Sequence, residues 1–228
     1  MLVISAALVQ PATAGEKKTG KGQAKTPAAA ANTDSTTAVA GCSPTSAVSH
    51  KPMKFAIPSY KAPQSTMTFT FKTNCGDIVV QADGSKAPIT VFILAVMAKV
   101  GYYDKTICHR LTTSGIYVLQ CGDPLGNGAG GPNFTFDDEN LPANVANNYP
   151  AGTVAMANSG LTRAGRGTNG SQFFFVYSDT TLPPNYTRWG TITQGLDILK
   201  AVAARGATGK KGDGAPKQTI AIESVSVK

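Results

Sequence analysis

Histidine is the scarcest chemistry-bearing residue in this 228-residue chain: there are two, His50 and His109. A Ser-His-acid triad would therefore depend on His109, and no G-x-S-x-G stands in the sequence to present a serine. The four cysteines (42, 75, 108, 121) include no C-x-x-C pair, which argues against a zinc site. No hydrophobic run reaches the roughly 20 residues needed to span a bilayer, so no folded transmembrane domain is expected. The acidic residues form one obvious cluster, Asp137-Asp138-Glu139, which reads as a solvated turn before it reads as a cation site.

Composition changes near residue 64. The first 64 residues are rich in Ala, Thr, Ser, Pro and Lys, and cannot bury enough apolar surface to offset chain entropy. Residues 15–64 are accordingly expected to be a disordered linker. Residues 1–14, an apolar Met1 to Val9 followed by Ala12-Thr13-Ala14, read as a signal peptide or the remnant of a membrane anchor. Export to the cell envelope or beyond is the expected location, with the cytoplasm as the alternative. Residues 65–228 carry most of the Phe, Ile, Val and Tyr and suffice for one core. The net charge of +8 divides unevenly: the first 64 residues hold seven Lys/Arg against two acids, and 65–228 hold 14 against 11. The excess lies in the linker and not on a folded basic face, so nucleic acid is not an expected partner.

Alternation in Thr66-Met67-Thr68-Phe69-Thr70-Phe71 predicts a half-buried strand, and Gly76-Asp77 a turn into a second at 78–81. Pro88 opens a helix with Phe92, Val96, Met97 and Val100 at helical spacing, closed by Gly101. Further strands are expected at about 106–111, 117–122, 134–137, 153–157, 172–177, 188–193 and 219–227, with a second helix at 196–203. Many strands and two separated helices predict a mainly β, closed antiparallel barrel capped by helices. Cys108 and Cys121 flank the hairpin that joins 106–111 to 117–122 and can face each other as a disulfide or remain buried thiols; Cys42 could then pair with Cys75.

Gly126-Asn127-Gly128-Ala129-Gly130-Gly131 satisfies G-x-G-x-x-G, but Pro132 and the β-like Asn133-Phe134-Thr135-Phe136 follow where a phosphate-binding helix should begin. It reads as a loop. His109 and Arg110 point to opposite faces of a strand, so His109 reads as structural and Arg110 as the group free to act. Near it in the inferred hairpin lie Tyr117 and Gln120. In Ala155-Met156-Ala157-Asn158 and Thr168-Asn169-Gly170-Ser171-Gln172-Phe173-Phe174-Phe175, Asn158 and Gln172 supply two more amide groups, and Met156 and Phe174 apolar surface. An arginine, amides and aromatics without a nucleophile suit a site that grips a peptide without breaking a covalent bond.

In order and spacing, these motifs resemble the cyclophilin family of peptidyl-prolyl cis-trans isomerases over essentially all of 65–228. The resemblance implies an eight-stranded barrel with two helices, an isomerase of Xaa-Pro bonds that assists protein folding, and no cofactor or metal. It places the catalytic arginine at Arg110 with Gln120 and Asn158. The proline pocket falls on Tyr117, Val118, Phe174 and Leu182, with Tyr186 at the rim. Gln172 joins the backbone-holding amides, and Gly128, Ala157 and Ser159 line the groove for residues before proline. Proline-containing polypeptides are the implied partners, and a monomer the default state. Several positions depart from the commonest pattern. Thr112 to Tyr117 is two residues longer than usual, as in some bacterial members, Tyr117 stands for a phenylalanine, and Tyr186 for a histidine. Thr181 replaces the tryptophan that contributes to cyclosporin binding, so only weak cyclosporin binding is expected, and Trp189 aligns with a core aromatic. A proline-peptide binding or chaperone module with little turnover is the alternative; it would keep every pocket residue but would not need Arg110.

Overall fold

The computed structural model describes residues 41–57, 59–62, 65–165 and 167–228. Strands β1 (Thr66–Thr73) and β2 (Gly76–Asp83) form the expected hairpin. The remaining strands are β3 (Thr106–Ile107), β4 (Arg110–Thr112), β5 (Val118–Cys121), β6 (Thr153–Met156), β7 (Phe173–Val176), β8 (Arg188–Gln194), β9 (Asp213–Gly214) and β10 (Ala221–Val227). They form one antiparallel sheet in the order β3-β10-β1-β2-β8-β6-β7-β5-β4-β9. The count is ten, not eight. The expected strand 106–111 breaks at Cys108-His109 into β3 and β4, and β9 adds a pair to β4 that no sequence pattern announces. The stretch expected as a strand at 134–137 makes a single bridge, Phe136 to Asn169.

Strand parity decides what each residue does. In β7 all four residues are buried, but on two different faces. Phe173 and Phe175 point inward to Phe69, Phe71 and Trp189, with ring centroids of 5.3 Å for Phe71–Phe173 and 5.9 Å for Phe173–Trp189. Phe174 and Val176 point outward into a second, smaller apolar cluster. Burying each large inward ring contributes roughly 2–3 kcal/mol. Met156, which the sequence grouped with the site, has inward parity and lies fully buried in the main core.

Helix α1 (Pro88–Lys99) begins with proline in its first turn and ends before Gly101, whose φ is +73°. Its N-cap, Ala87, has no side chain to cap the free N–H groups. Glu139 supplies the missing acceptor, receiving Ile89 N–H at 3.1 Å and Thr90 N–H at 2.8 Å. Helix α2 (Leu196–Ala204) packs Leu199, Val202 and Ala203 inward. Among the described residues no helix is long and apolar enough to cross a membrane.

The expected signal or anchor segment, 1–14, and the linker as far as residue 40 lie outside the described residues. From Cys42 onward the structure departs from the expected disordered linker. Cys42 is bonded to Cys75, Ser43 N–H donates to Asn74 O at 2.7 Å, and His50 N–H donates to Pro124 O at 2.9 Å. Phe55 and Ile57 pack against the main core. Composition missed this because a disulfide, scattered hydrogen bonds and two apolar residues, not a periodic pattern, hold the segment. A second disulfide joins Cys108 to Cys121. In a chain-entropy account the two close loops worth roughly 4 and 3 kcal/mol respectively.

Candidate active site

Register builds the site. Arg110 of β4 faces Gln120 of β5, Gln120 faces Phe174 of β7, and Phe174 faces Ala155 of β6. The four form one row across four strands on the outer face, because Leu119, Cys121, Val154, Met156, Phe173 and Phe175 fill the inner one. At about 4.8 Å per strand, the backbones of Arg110 and Phe174 are about 10 Å apart, within reach of an arginine and an aromatic side chain pointing the same way.

Arg110 is held from the far side by Asp213. Nε and Nη2 donate to the two carboxylate oxygens at 2.8 and 2.7 Å, and Nη1 donates to Gln120 Oε1 at 3.4 Å. The fork orients the plane of the guanidinium, and three of its five N–H groups are so engaged. The hydrogen bonds with Asp213 raise the Arg110 pKa and hold the Asp213 carboxyl below its ordinary value. Sequence reading did not find Asp213. It lies 103 residues from Arg110, in a Gly-Lys-Lys-Gly-Asp-Gly turn with no periodicity to mark it.

Beside this pair lies the apolar cup. Val118, Phe174, Ala155, Val176 and Tyr149 form its buried part, and Leu182, Tyr186, Ala157 and Ile116 pack at its edge. Phe174 and Tyr186 meet edge to face at 5.6 Å. Tyr117 is not part of it. Its ring packs on Tyr177 at 6.0 Å and lines a separate groove with Thr113, Lys200 and Ala203. The reason is parity: 116 and 118 share one side of an extended chain and 117 takes the other. Ile116 therefore stands where the sequence placed Tyr117. Two further residues went unseen. Tyr149 O–H donates to Tyr186 O at 3.0 Å and accepts Tyr186 N–H at 3.1 Å, while Asn148 receives Leu182 N–H at 3.0 Å and donates to Leu182 O at 2.8 Å. Together they fix the 182–186 loop over the cup. Burial pushes the Tyr149 hydroxyl up to about 12, so it stays protonated and able to donate.

On the other side of Gln120 a cavity of about 290 Å³ is lined by Gly128, Ala157, Asn158, Ser159, Gln172 and Phe134, among others. Gln172 bridges it: its amide donates to Gly128 O at 3.0 Å and Gly130 O at 2.7 Å, and its oxygen accepts from Gln120 at 2.8 Å. Asn158 is placed at the cavity, but its side chain faces the scaffold. Nδ2 donates to Asn185 O at 2.9 Å and Asp138 Oδ1 at 3.2 Å, and Oδ1 accepts Gly160 N–H at 3.0 Å. It holds the loop, and Gln172 likewise commits its amide nitrogen to the glycine loop, which leaves Gln120, bonded to Arg110 and Gln172, as the amide nearer to a peptide.

Residues 67–227 match the family model described as cyclophilin type peptidyl-prolyl cis-trans isomerase/CLD. The chain belongs to this family. The probable peptidyl-prolyl cis-trans isomerase B of Mycobacterium tuberculosis is 43% identical over 164 residues, covering 67% of this chain and 52% of that protein. The Mycobacterium leprae protein of the same description is 41% identical, covering 71% and 57% respectively. The chain thus spans about half the length of these mycobacterial relatives. Peptidyl-prolyl cis-trans isomerase B of Streptomyces anulatus is 37% identical over 176 residues, 69% of this chain and 94% of that protein. Among solved structures, a Cryptosporidium parvum cyclophilin type peptidyl-prolyl cis-trans isomerase aligns with TM-score 0.60 and 28% identity over 72% of this chain and 98% of its own. It has also been crystallised in the presence of the dipeptide Ala-Pro.

Within this cyclophilin fold the other candidate groups serve structure. Asp123, fully buried, accepts the backbone N–H groups of Leu125, Asn127 and Gly128 at 2.7, 3.0 and 2.6 Å and so shapes the glycine loop. A Cβ at Gly130 would collide with that carboxylate, which explains glycine there without any phosphate. The acidic cluster is likewise divided: Asp137 accepts Gly167 N–H at 2.7 Å, Asp138 accepts from Asn169 at 2.8 Å, and Glu139 caps α1. Among the described residues no group of His, Cys, Asp and Glu is placed to hold a metal ion. Both ring nitrogens of His109 are buried without a hydrogen-bond partner, and burial lowers its pKa.

Proposed function

We propose that this protein is a peptidyl-prolyl cis-trans isomerase acting on proline-containing polypeptides. The observation that carries the reading is Arg110, clamped by Asp213 one strand away from Gln120 and two from Phe174, at the edge of an apolar cup. The Ala-Pro dipeptide used with the Cryptosporidium relative is consistent with a ligand of this class.

Rotation about an Xaa-Pro bond meets a barrier of roughly 18–20 kcal/mol because the amide has partial double-bond character. As the bond twists, resonance is lost and the prolyl nitrogen gains lone-pair character. The proline ring sits in the cup of Val118, Phe174, Leu182 and Ile116, and Arg110 donates to that nitrogen and to the substrate carbonyl. Gln120, braced by Gln172, holds the flanking backbone, so that one side of the bond turns while the other stays fixed. The guanidinium stabilises the twisted form more than either planar isomer, which is the requirement for a faster rate. A gain of about 10⁵ requires roughly 7 kcal/mol of such differential binding. No covalent bond is made or broken, so the step itself requires neither cofactor nor metal.

We further read the sheet as a barrel closed where β3 continues through Cys108-His109 into β4, supported by Cys108 N–H donating to Ile220 O at 3.0 Å. Two disulfides support an oxidising compartment, hence export to a cell envelope or beyond, and a role in folding exported chains. Thr181 at the tryptophan position supports weak cyclosporin binding. A monomer remains the working assembly. The test is refolding of a protein whose slow phase is an Xaa-Pro isomerisation: that phase should accelerate in proportion to added protein. A slow phase unchanged at equimolar protein would refute the activity.

A further inference from the structure

The segment from Cys42 to Ile57 has no regular secondary structure, yet it is tied down along its length. Cys42 is bonded to Cys75, and Asn74 Nδ2 donates to Ser43 O at 2.8 Å. Thr45 O–H donates to Glu223 at 2.6 Å, and His50 N–H donates to Pro124 O at 2.9 Å. Pro124 begins the glycine loop that Asp123 shapes from the inside. At the next residues of that loop the strap comes close again, since a Cβ at Gly126 would stand 3.2 Å from Ser49 Oγ.

The segment then inserts one ring. Phe55 meets Tyr102 edge-on at 5.9 Å and Phe134 edge-on at 5.6 Å. Tyr102 is a fully buried part of the core; Phe134 is half-buried and lines the cavity beside Gln120. Phe55 therefore sits between a buried core ring and a groove-lining ring. Its neighbours Lys54 and Ala56 are exposed, so the contact is made by this one side chain and not by general packing. Phe134 also packs against the main core, so Phe55 meets it on one side while the cavity lies on another.

We propose that residues 42–57 are a strap of the substrate site and that Phe55 is a positioning residue acting through Phe134. The groove it braces takes the peptide flanking the proline, while the proline cup lies across Gln120 and is built without it. The strap thus governs affinity for extended peptides and leaves the isomerisation step alone. Its anchor is the Cys42–Cys75 disulfide, so loss of that bond acts in the same direction as loss of the ring.

This inference rests on the isomerase reading for its turnover readout only, so binding is measured beside turnover. The full chain, Phe55→Ala, Phe55→Leu and the Cys42→Ser/Cys75→Ser double variant are compared on two peptides. One is a short Ala-Pro peptide, and the other carries four further residues before the same Ala-Pro. In Phe55→Ala, KM and Kd for the long peptide should rise at least fivefold with kcat unchanged. Values for the short peptide should stay within twofold. Phe55→Leu should recover most of the loss, and the double serine variant should resemble Phe55→Ala. Equal change for both peptides, or none for either, overturns the proposal. If the wild type binds both peptides without turnover, the isomerase reading fails and the Kd ratio alone decides the strap.

Discussion

Asp213 grips Arg110 through both carboxylate oxygens, at 2.8 and 2.7 Å, across 103 residues of sequence. Both partners are close to half exposed, at 40% and 48%, so the pair contributes no more than about 1 kcal/mol to stability. Its effect is orientation. Asp213→Asn should lower kcat/KM roughly tenfold, about 1.4 kcal/mol of transition-state stabilisation, while the melting temperature moves by less than about 3 °C. Steady-state kinetics and a thermal melt on the same sample check both halves. The Asp213 carboxyl is lowered from 3.8 in the folded state, so the pair is fully present above that value and is lost only as pH falls below it. Between pH 5 and 8 the activity should not titrate through Asp213.

Parity assigns the cup to Ile116 and removes Tyr117 from it. Ile116→Ala should reduce kcat/KM for Ala-Pro peptides about fivefold to thirtyfold, the loss of roughly 1–2 kcal/mol of apolar contact. Tyr117→Phe should leave it within twofold. Kinetics on the two variants decide the matter, and the reverse order of effects would return Tyr117 to the cup.

Glu139 caps helix α1 in place of the alanine that stands at its N-cap. Glu139→Ala should cost about 1–2 kcal/mol, read as a fall of roughly 3–8 °C in melting temperature. Activity at 25 °C should persist, because Glu139 touches no residue of the Arg110 row.

His109 is buried at both ring nitrogens, and burial lowers its pKa from 6.5, with Asp123 raising it and Arg110 lowering it more weakly. The unfolded chain takes up this proton near pH 6.5 and the folded chain only below that. Stability therefore falls as pH drops from 6.5 towards the lowered folded value, and is unaffected by this group above 6.5. Melting temperatures at pH 7.5 and 5 should differ more in the wild type than in His109→Leu. Identical differences would show that His109 does not titrate in this way.

How far the sequence carried the account depends on the kind of signal. Alternation marked Phe69 and Phe71 as the apolar side of the first strand, and the pattern gave both helices to within a residue or two, because period-2 and period-3.6 burial are written locally; the unbroken run Phe173 to Val176 carries no alternation, and only the structure sorts its two faces. The row Arg110, Gln120, Phe174 could be anticipated from motif order and became adjacent through strand register. Asp213, Tyr149, Asn148 and Phe55 could not be read. Each acts through one long-range contact from a turn, an irregular loop or an apparent linker, where no periodicity exists to mark it. Asn158 shows the converse: its motif was legible, but only geometry reveals that its amide faces Asp138 and Asn185. Tyr117 was misplaced by one residue in a loop of unusual length, and in an extended chain one residue reverses the face.

The most direct measurement is cis-trans exchange of an Ala-Pro peptide by NMR, with the wild type and Arg110→Ala side by side. The account predicts rapid exchange with the wild type and at least a hundredfold slower catalysed exchange with Arg110→Ala, while peptide affinity changes less than about fivefold. Exchange that is not accelerated by the wild type, or that survives intact in Arg110→Ala, would contradict it.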